Sequence, residues 1–226
     1  MEINHKYLHF GPVLAGTTTD KDLCKELLER GRLTTESNVA GLAGHIEIEN
    51  NFNREDTLWF LDNFKKYFIP YFKKITEKHD KNYFYGMEPF NRILLQKLWI
   101  NFMVKNEYNP IHTHGGSFSF VLYLQVPEGI KDEVKNFAGT GLGPGTVTFT
   151  YGEQQRGIIT AHGMMPTTGD LWIFPASLKH MVPPFRSDGE RISVSGNIYI
   201  TDELNAGSPL QPGEILLNTN NKEKNA

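Results

Sequence analysis

The stretch "NPIHTHGGSFSFVLYLQVP", residues 109–127, sets two histidines just before a run in which aromatic and β-branched residues alternate with others. This texture is typical of a β-strand that turns one face to a core. Successive side chains of a strand point to opposite faces, so His112 and His114 would project from the same side. Two imidazoles there could bind one metal ion; polar residues at a strand edge are the other interpretation.

The second half of the chain repeats this texture. Short runs rich in β-branched and aromatic residues, broken by glycine and proline, occupy residues 93–104, 118–126, 146–151, 170–175 and 190–200. Runs of this length separated by such turns favour antiparallel pairing. We therefore expect a mainly β fold with flanking helices, in which the strands close into a barrel or jelly roll.

Two helices are predicted ahead of the strands. The first has leucines at helical spacing, with Thr19 or Asp20 as its N-cap and Gly31 as its C-cap. The second begins near Thr57 and carries phenylalanines on one face, and Pro70 should kink or divide it. Both patterns are amphipathic, so both helices should pack against the β core.

The 226 residues are expected to form one domain, because no linker rich in proline and serine divides them. Residues 1–90 would provide supporting helices and a short strand within residues 41–52. Residues 91–205 would form the β core. The polar, asparagine-rich residues 206–226 would be a tail that packs no further than its "EILL" segment.

Charge and composition argue against several classes of partner. A formal net charge of -3 gives no attraction to nucleic acid, and no apolar run is long enough to span a membrane. The N-terminus lacks the pattern of a secretory signal, and the single cysteine, Cys24, cannot form an internal disulfide. We expect a cytoplasmic protein with neither a membrane nor a nucleic-acid partner.

A third histidine lies beyond the predicted strand 170–175. His180 would stand at the rim of the barrel, where it could be a third metal ligand. The other five histidines, among them His162 in a predicted loop, are interpreted as surface residues. The loops at residues 128–145 and 152–166 are expected to frame a substrate entrance, because loops on a rigid barrel commonly carry specificity.

An arginine opens the last predicted strand. Alternation places Arg191, Ser193 and Ser195 on one face of this strand. A guanidinium facing a barrel interior needs a negative partner, because a buried charge without one is costly. Asp188 or Glu190 could form an ion pair with it, or a bound dicarboxylate could occupy its planar fork. Both possibilities remain open at this point.

Two segments carry a resemblance to a known family. "LWINFMVKNEYNPIHTHGGSFSFVLYLQVP" and "GDLWIFPASLKHMVPPFRSDGERISVSGNI", residues 98–127 and 169–198, place His-x-His, a distal histidine and Arg-x-Ser in that order. This order resembles the 2-oxoglutarate- and Fe(II)-dependent oxygenases, and more closely those of T4-like cyanophages and marine bacteria. The resemblance covers roughly residues 91–200. It implies a double-stranded β-helix, the jelly-roll fold shared with cupins. If the protein is phage-encoded like the cyanophage members, it would act in the host cytoplasm.

The resemblance also implies a set of site residues. His112, His114 and His180 match the metal ligands by position, with His114 standing where the family usually has a carboxylate. Arg191 and Ser193 match the residues that bind the distal carboxylate of 2-oxoglutarate. Two further residues complete the predicted 2-oxoglutarate site: Tyr123, which is similar to a tyrosine of prolyl-hydroxylase-like members, and Asn101, which faces the interior but could instead cap a turn.

The implied function is that of a 2-oxoglutarate- and Fe(II)-dependent dioxygenase. Such an enzyme uses Fe(II), 2-oxoglutarate and O2 to hydroxylate a C–H bond of a substrate, here a peptide, such as a prolyl residue, or a small molecule, and releases succinate and CO2. No catalytic residue beyond the metal centre is implied. The alternatives are a three-histidine, cupin-like metal protein without 2-oxoglutarate chemistry, and a non-catalytic interaction module.

Overall fold

A computed structural model describes residues 11–76, 90–141, 143–153, 160–202 and 209–217. Its helices are α1 (Lys21–Arg32), α2 (Arg54–Thr76) and α3 (Glu128–Lys135). Its strands are β1 (Ala15–Thr18), β2 (Glu36–Ser37), β3 (Glu49–Asn51), β4 (Arg92–Met103), β5 (Asn109–His112), β6 (Phe118–Gln125), β7 (Val147–Thr150), β8 (Ala161–Met164), β9 (Asp170–Pro175), β10 (Lys179–Val182), β11 (Arg191–Ile200) and β12 (Glu214–Leu216).

These strands form two antiparallel sheets in the described part of the chain. The larger sheet has eight strands in the order β1-β9-β6-β11-β4-β3-β2, with β12 also paired to β4. The smaller sheet has four strands in the order β5-β10-β7-β8. The prediction of a mainly β fold with flanking helices is therefore confirmed, and the five predicted strands in the second half of the chain correspond to β4, β6, β7, β9 and β11.

The helix α2 packs an aromatic face onto the larger sheet. Phe60 stacks on Phe120 of β6 with 5.4 Å between ring centroids, and Phe68 meets the same ring edge-on at 4.8 Å. Phe60 and Phe64 also stack on each other, at 4.7 Å. The helix continues through Pro70 rather than dividing there. No helix in the described ranges is long and apolar enough to cross a membrane.

The helix α1 shows one cap as predicted and one that differs. The Asp20 carboxylate accepts hydrogen bonds from the N–H groups of Asp22 and Leu23, which makes it the N-cap. Gly31 is not the C-cap, because the helix runs on to Arg32. The glycine is buried instead, and a Cβ there would lie 2.3 Å from Cδ1 of Ile100 on β4. Its small size thus permits close approach of helix and sheet.

Of the other local predictions, those for residues 128–145 and His162 need correction, whereas those for residues 41–52 and the "EILL" segment are confirmed. The predicted loop 128–145 begins with α3, and His162 lies on β8 rather than in a loop. Within residues 41–52 only β3 is a strand, and it is three residues long. The "EILL" segment does pack, because β12 pairs with β4. The tail beyond residue 217 lies outside the described residues.

Replacing Phe60 by alanine tests the packing of α2 on the sheet. The ring is fully buried between two aromatic neighbours, so Phe60→Ala should lower the free energy of unfolding by roughly 3–5 kcal/mol. Phe137, which is 45% exposed, provides the matched control, and Phe137→Ala should cost about 1 kcal/mol or less. Denaturant unfolding measures both values. Equal losses in the two variants would contradict the packing role of Phe60.

Candidate active site

Three histidines meet where β5 and β10 pair. His180 of β10 stands directly opposite His112 of β5 in the antiparallel register. The strand β5 ends at His112, so strand alternation does not position His114, contrary to the prediction. The backbone N–H of His114 instead donates to the carbonyl oxygen of Ala176 at 2.9 Å, and this bond holds the following turn against the end of β9.

The three imidazoles are close enough to share one ion. One ring nitrogen from each of His112, His114 and His180 lies within 4.8 Å of the others. The Nε2 atoms of His114 and His180 are 3.1 Å apart. Two nitrogens bound to a metal at about 2.1 Å and at right angles lie about 3 Å apart, so the separation fits chelation.

The protonation of these rings also fits a metal. The Nδ1 atoms of His112 and His180 contact the carbonyl oxygens of Pro110 and Leu178, at 2.7 and 2.9 Å. Carbonyl oxygens only accept, so Nδ1 carries the proton and Nε2 keeps its lone pair, which in His112 lies 3.5 Å from the Asn109 amide nitrogen. Burial lowers the pKa of all three histidines, and the neighbouring imidazoles add to this for His114, with a pKa of about 3, and for His180, with a pKa of about 4.

The cluster differs from a two-histidine, one-carboxylate site. Across the described residues, the group that could hold a metal consists of histidines only. Neutral imidazoles leave the full charge of a divalent ion uncompensated by its protein ligands. Anionic ligands from outside the protein would therefore be strongly attracted to such an ion.

A cavity of about 230 Å³ extends from the histidines into the barrel. Its walls come from both sheets and from the segment before β3. All seven residues predicted for the site line it: Asn101, His112, His114, Tyr123, His180, Arg191 and Ser193. Sequence order, alternation and the family resemblance together predict these residues, whereas their individual roles stay predictions.

The guanidinium of Arg191 lies at one end of this cavity and is only 3% exposed. Its Nε donates to the carbonyl oxygen of Gly145 at 3.0 Å, and one terminal nitrogen lies 3.4 Å from the hydroxyl of Tyr123. The guanidinium carbon is 4.9 Å from the centre of the Tyr123 ring. Burial lowers the pKa of Arg191, yet an arginine side chain keeps its charge in proteins.

Internal carboxylates do not neutralise this charge in the described part of the chain. Asp188 pairs with Lys105 at 2.7 Å, and Glu190 pairs with Arg32 at 2.6 Å. The two acids proposed from sequence as partners of Arg191 therefore serve other cations at the surface. A buried positive charge without an anion is costly, which favours the alternative of a bound anionic ligand.

Sequence reasoning missed a polar wall beside Asn101. In the amide orientation that satisfies its neighbours, the Asn101 nitrogen donates to Oε2 of Glu49 at 2.5 Å, and its oxygen accepts from the indole N–H of Trp99 at 3.3 Å. The other oxygen of Glu49 accepts from Asn38, whose carbonyl accepts from Lys97. Glu49 lies on the three-residue strand β3, too short for its alternation to identify an inward face.

Comparison with known proteins agrees with this geometry. Residues 97–197 match the family model described as "Putative 2OG-Fe(II) oxygenase". A 2OG-Fe(II) oxygenase family oxidoreductase from Burkholderia pseudomallei aligns with a TM-score of 0.53 at 14% identity, covering 84% of each chain. A Pseudomonas putida prolyl-4-hydroxylase aligns with a TM-score of 0.50 at 15% identity, covering 83% of this chain and 92% of its own. Among curated protein sequences there is no match.

The family match runs from within β4 to within β11, so the barrel is similar to that of the 2OG-Fe(II) oxygenases, an enzyme class that uses Fe(II) and 2-oxoglutarate. The structural neighbours share its fold, the double-stranded β-helix. The predictions of an enzyme and of these two cofactors are thereby confirmed.

Metal binding tests the histidine cluster directly. Loss of an outer partner of a metal-binding histidine costs roughly 10- to 100-fold in affinity, so His180→Ala should weaken Fe(II) binding by more than this. Anaerobic calorimetric titration measures the affinity. His162, which lies on β8 and contacts Trp172, provides the control, and His162→Ala should bind Fe(II) as the wild type does. Equal affinities of the wild type and His180→Ala would exclude the cluster as the iron site.

Proposed function

We propose that the protein is a 2-oxoglutarate- and Fe(II)-dependent dioxygenase that hydroxylates a C–H bond of its substrate and releases succinate and CO2. One observation carries this proposal: the cavity that contains three neutral imidazoles also contains the buried guanidinium of Arg191, which has no carboxylate partner among the described residues. A metal would bind the imidazoles at one end of the cavity, and a dicarboxylate would neutralise the guanidinium at the other.

His112, His114 and His180 would hold Fe(II) through their unprotonated ring nitrogens. When bound, the iron supplies the redox chemistry by which O2 is activated. The chain's own part is to keep the rings neutral by burial and to fix the orientation of His112 and His180 through the hydrogen bonds at Nδ1.

Arg191 would bind the distal carboxylate of 2-oxoglutarate. Its planar fork can hold a carboxylate by two hydrogen bonds, and the hydroxyls of Ser193 and Tyr123 line the same end of the cavity. Asn101 uses one amide hydrogen on Glu49, so its second hydrogen could reach the other carboxylate. These contacts would orient the co-substrate and exclude water from the reacting end.

The substrate class is less constrained. A peptidyl, in particular prolyl, substrate follows only from the resemblance at Tyr123. The hydroxyl of this tyrosine lies beside Arg191, so it bears on the co-substrate rather than on the substrate. The phage origin and the location in a host cytoplasm also stay predictions.

A second candidate is a three-histidine metal enzyme that does not use 2-oxoglutarate. The absence of a carboxylate from the described histidine cluster favours it. It offers no reason for the buried charge of Arg191, whereas the dioxygenase does. An interaction module would require neither feature.

A substitution at Arg191 distinguishes these candidates. Arg191→Lys keeps the charge but loses the two-pronged contact, so 2-oxoglutarate affinity should fall by about 10- to 100-fold. The exposed Arg186 provides the matched control, and Arg186→Lys should leave the affinity unchanged. The measurement is an anaerobic titration of Fe(II)-loaded protein with 2-oxoglutarate, followed by succinate release in air.

Each outcome of this titration favours a different candidate. Binding that depends on Arg191, with succinate formed in air, supports the dioxygenase. Wild-type protein that binds Fe(II) but not 2-oxoglutarate would exclude it and leave the three-histidine metal protein. If both lysine variants bind 2-oxoglutarate equally strongly, Arg191 does not bind the co-substrate, but the dioxygenase itself is not excluded.

A further inference from the structure

A carboxylate lines the cavity at a distance from Arg191. Glu49 is 3% exposed, and it is the acid among the described residues that form the cavity wall. It lies on β3, while Arg191 lies on β11, with β4 between these two strands. In register, Glu49 pairs with Asn101, and Asn101 pairs with Ser193. Opposite charges therefore line the same cavity, on two strands of one sheet that are separated by β4.

The charge of Glu49 is only partly satisfied. Its oxygens accept from the amides of Asn38 and Asn101, at 2.5 Å each. Lys97 bonds to the Asn38 carbonyl and forms no ion pair with Glu49 in the described structure. Burial accordingly raises the pKa of Glu49 to about 7, although Asn38 and Lys97 act in the opposite direction. A cation in contact with Glu49 would offset the free-energy cost of burying its charge.

Two further acceptors in the cavity wall lack donors. The side-chain oxygens of Asn109 and Asn197 are buried without a hydrogen-bond partner within the described residues. Buried polar atoms in proteins are normally satisfied, so such atoms in a binding cavity indicate a missing donor. Asn197 pairs with Lys97 in the β11–β4 register, and Asn109 begins β5 near the histidines.

The charges also indicate which molecule would use this wall. The anionic 2-oxoglutarate is attracted by Arg191 and repelled by Glu49, so Glu49 does not bind the co-substrate directly. Lys97, which lines the same cavity, is bound to the Asn38 carbonyl. The cavity, at about 230 Å³, lies below the range of roughly 300–1,000 Å³ typical of ligand pockets. With 2-oxoglutarate inside, only a small part of a substrate can enter.

We propose that Glu49, Asn109 and Asn197 form the subsite for the substrate, and that this subsite binds a positively charged nitrogen, the ammonium or guanidinium group of the molecule to be hydroxylated. This inference rests on the proposed function, which places the reacting metal at the three histidines. A free lysine or arginine and the same side chain within a peptide both carry such a group.

The test uses charged probes with neutral analogues of similar shape. L-arginine is compared with L-citrulline, and L-lysine with L-norleucine, by calorimetric titration of Fe(II)- and 2-oxoglutarate-loaded protein without O2. At least one charged probe should bind about tenfold more tightly than its analogue, because charge-assisted hydrogen bonds are the stronger kind. N-acetyl-L-arginine amide distinguishes the peptide from the free amino acid by its higher or lower affinity.

Glu49→Gln should reduce the preference for charge to about onefold. Its amide oxygen can still accept from Asn101, so 2-oxoglutarate affinity should change by less than about threefold. Glu47→Gln makes the same change at an exposed position of the same segment and should keep the preference. If Glu49→Gln fails to fold, Asn197→Leu is used instead, and it should weaken binding of the charged probe by about threefold or more.

A wild type that binds each charged probe no better than its analogue would overturn the subsite. A preference that persists in Glu49→Gln, or unchanged binding in Asn197→Leu, would do the same. Failure of 2-oxoglutarate binding is a separate result that contradicts the proposed function. Repeating the probe titrations without metal and co-substrate keeps the subsite testable in that case.

Discussion

The antiparallel pairing of β5 with β10 is the constraint on which the candidate site depends. It sets His180 opposite His112, and neither ring could meet the other if the register shifted by one residue, because adjacent strand positions face opposite sides. His114 joins them through a backbone hydrogen bond to Ala176 rather than through strand geometry. The smaller sheet thus supplies two imidazoles by pairing, and the turn after β5 supplies the third.

The larger sheet adds a positive charge to the site. The strand β11 is paired to β4 from Arg191 and to β6 from Ile192, so Ser193 is held from both sides and Arg191 by β4. Neutral imidazoles give a metal no negative charge, and the buried guanidinium adds a positive one. In the proposed function, a dianionic co-substrate would offset most of this positive charge from both sheets at once.

Much of this arrangement was predictable from the sequence. Alternation along residues 190–200 placed Arg191 and Ser193 on one face, since a long strand has an unambiguous period of two. The same rule was wrong for His114, because β5 ends before it. Glu49 could not be found, since its contact with Asn101 joins a three-residue strand to one far along the chain. The sequence predicts a helix end at Gly31, because glycine commonly ends helices. The actual reason for this glycine, its close approach to Ile100, is a tertiary contact that the sequence pattern does not show.

The origin of each wall suggests how the two ends of the cavity differ in role. The histidines, Arg191 and Asn101 all lie within residues 97–197, the part that matches the family model. Glu49 and Asn38 lie outside that part, Glu49 on β3 and Asn38 in the segment before it. Residues shared across a family are expected to serve what its members have in common, which is the metal and 2-oxoglutarate. Residues contributed from outside the matched part are then the ones free to differ with the substrate. Of the proposed subsite, Glu49 is of this kind, whereas Asn109 and Asn197 lie within the matched part.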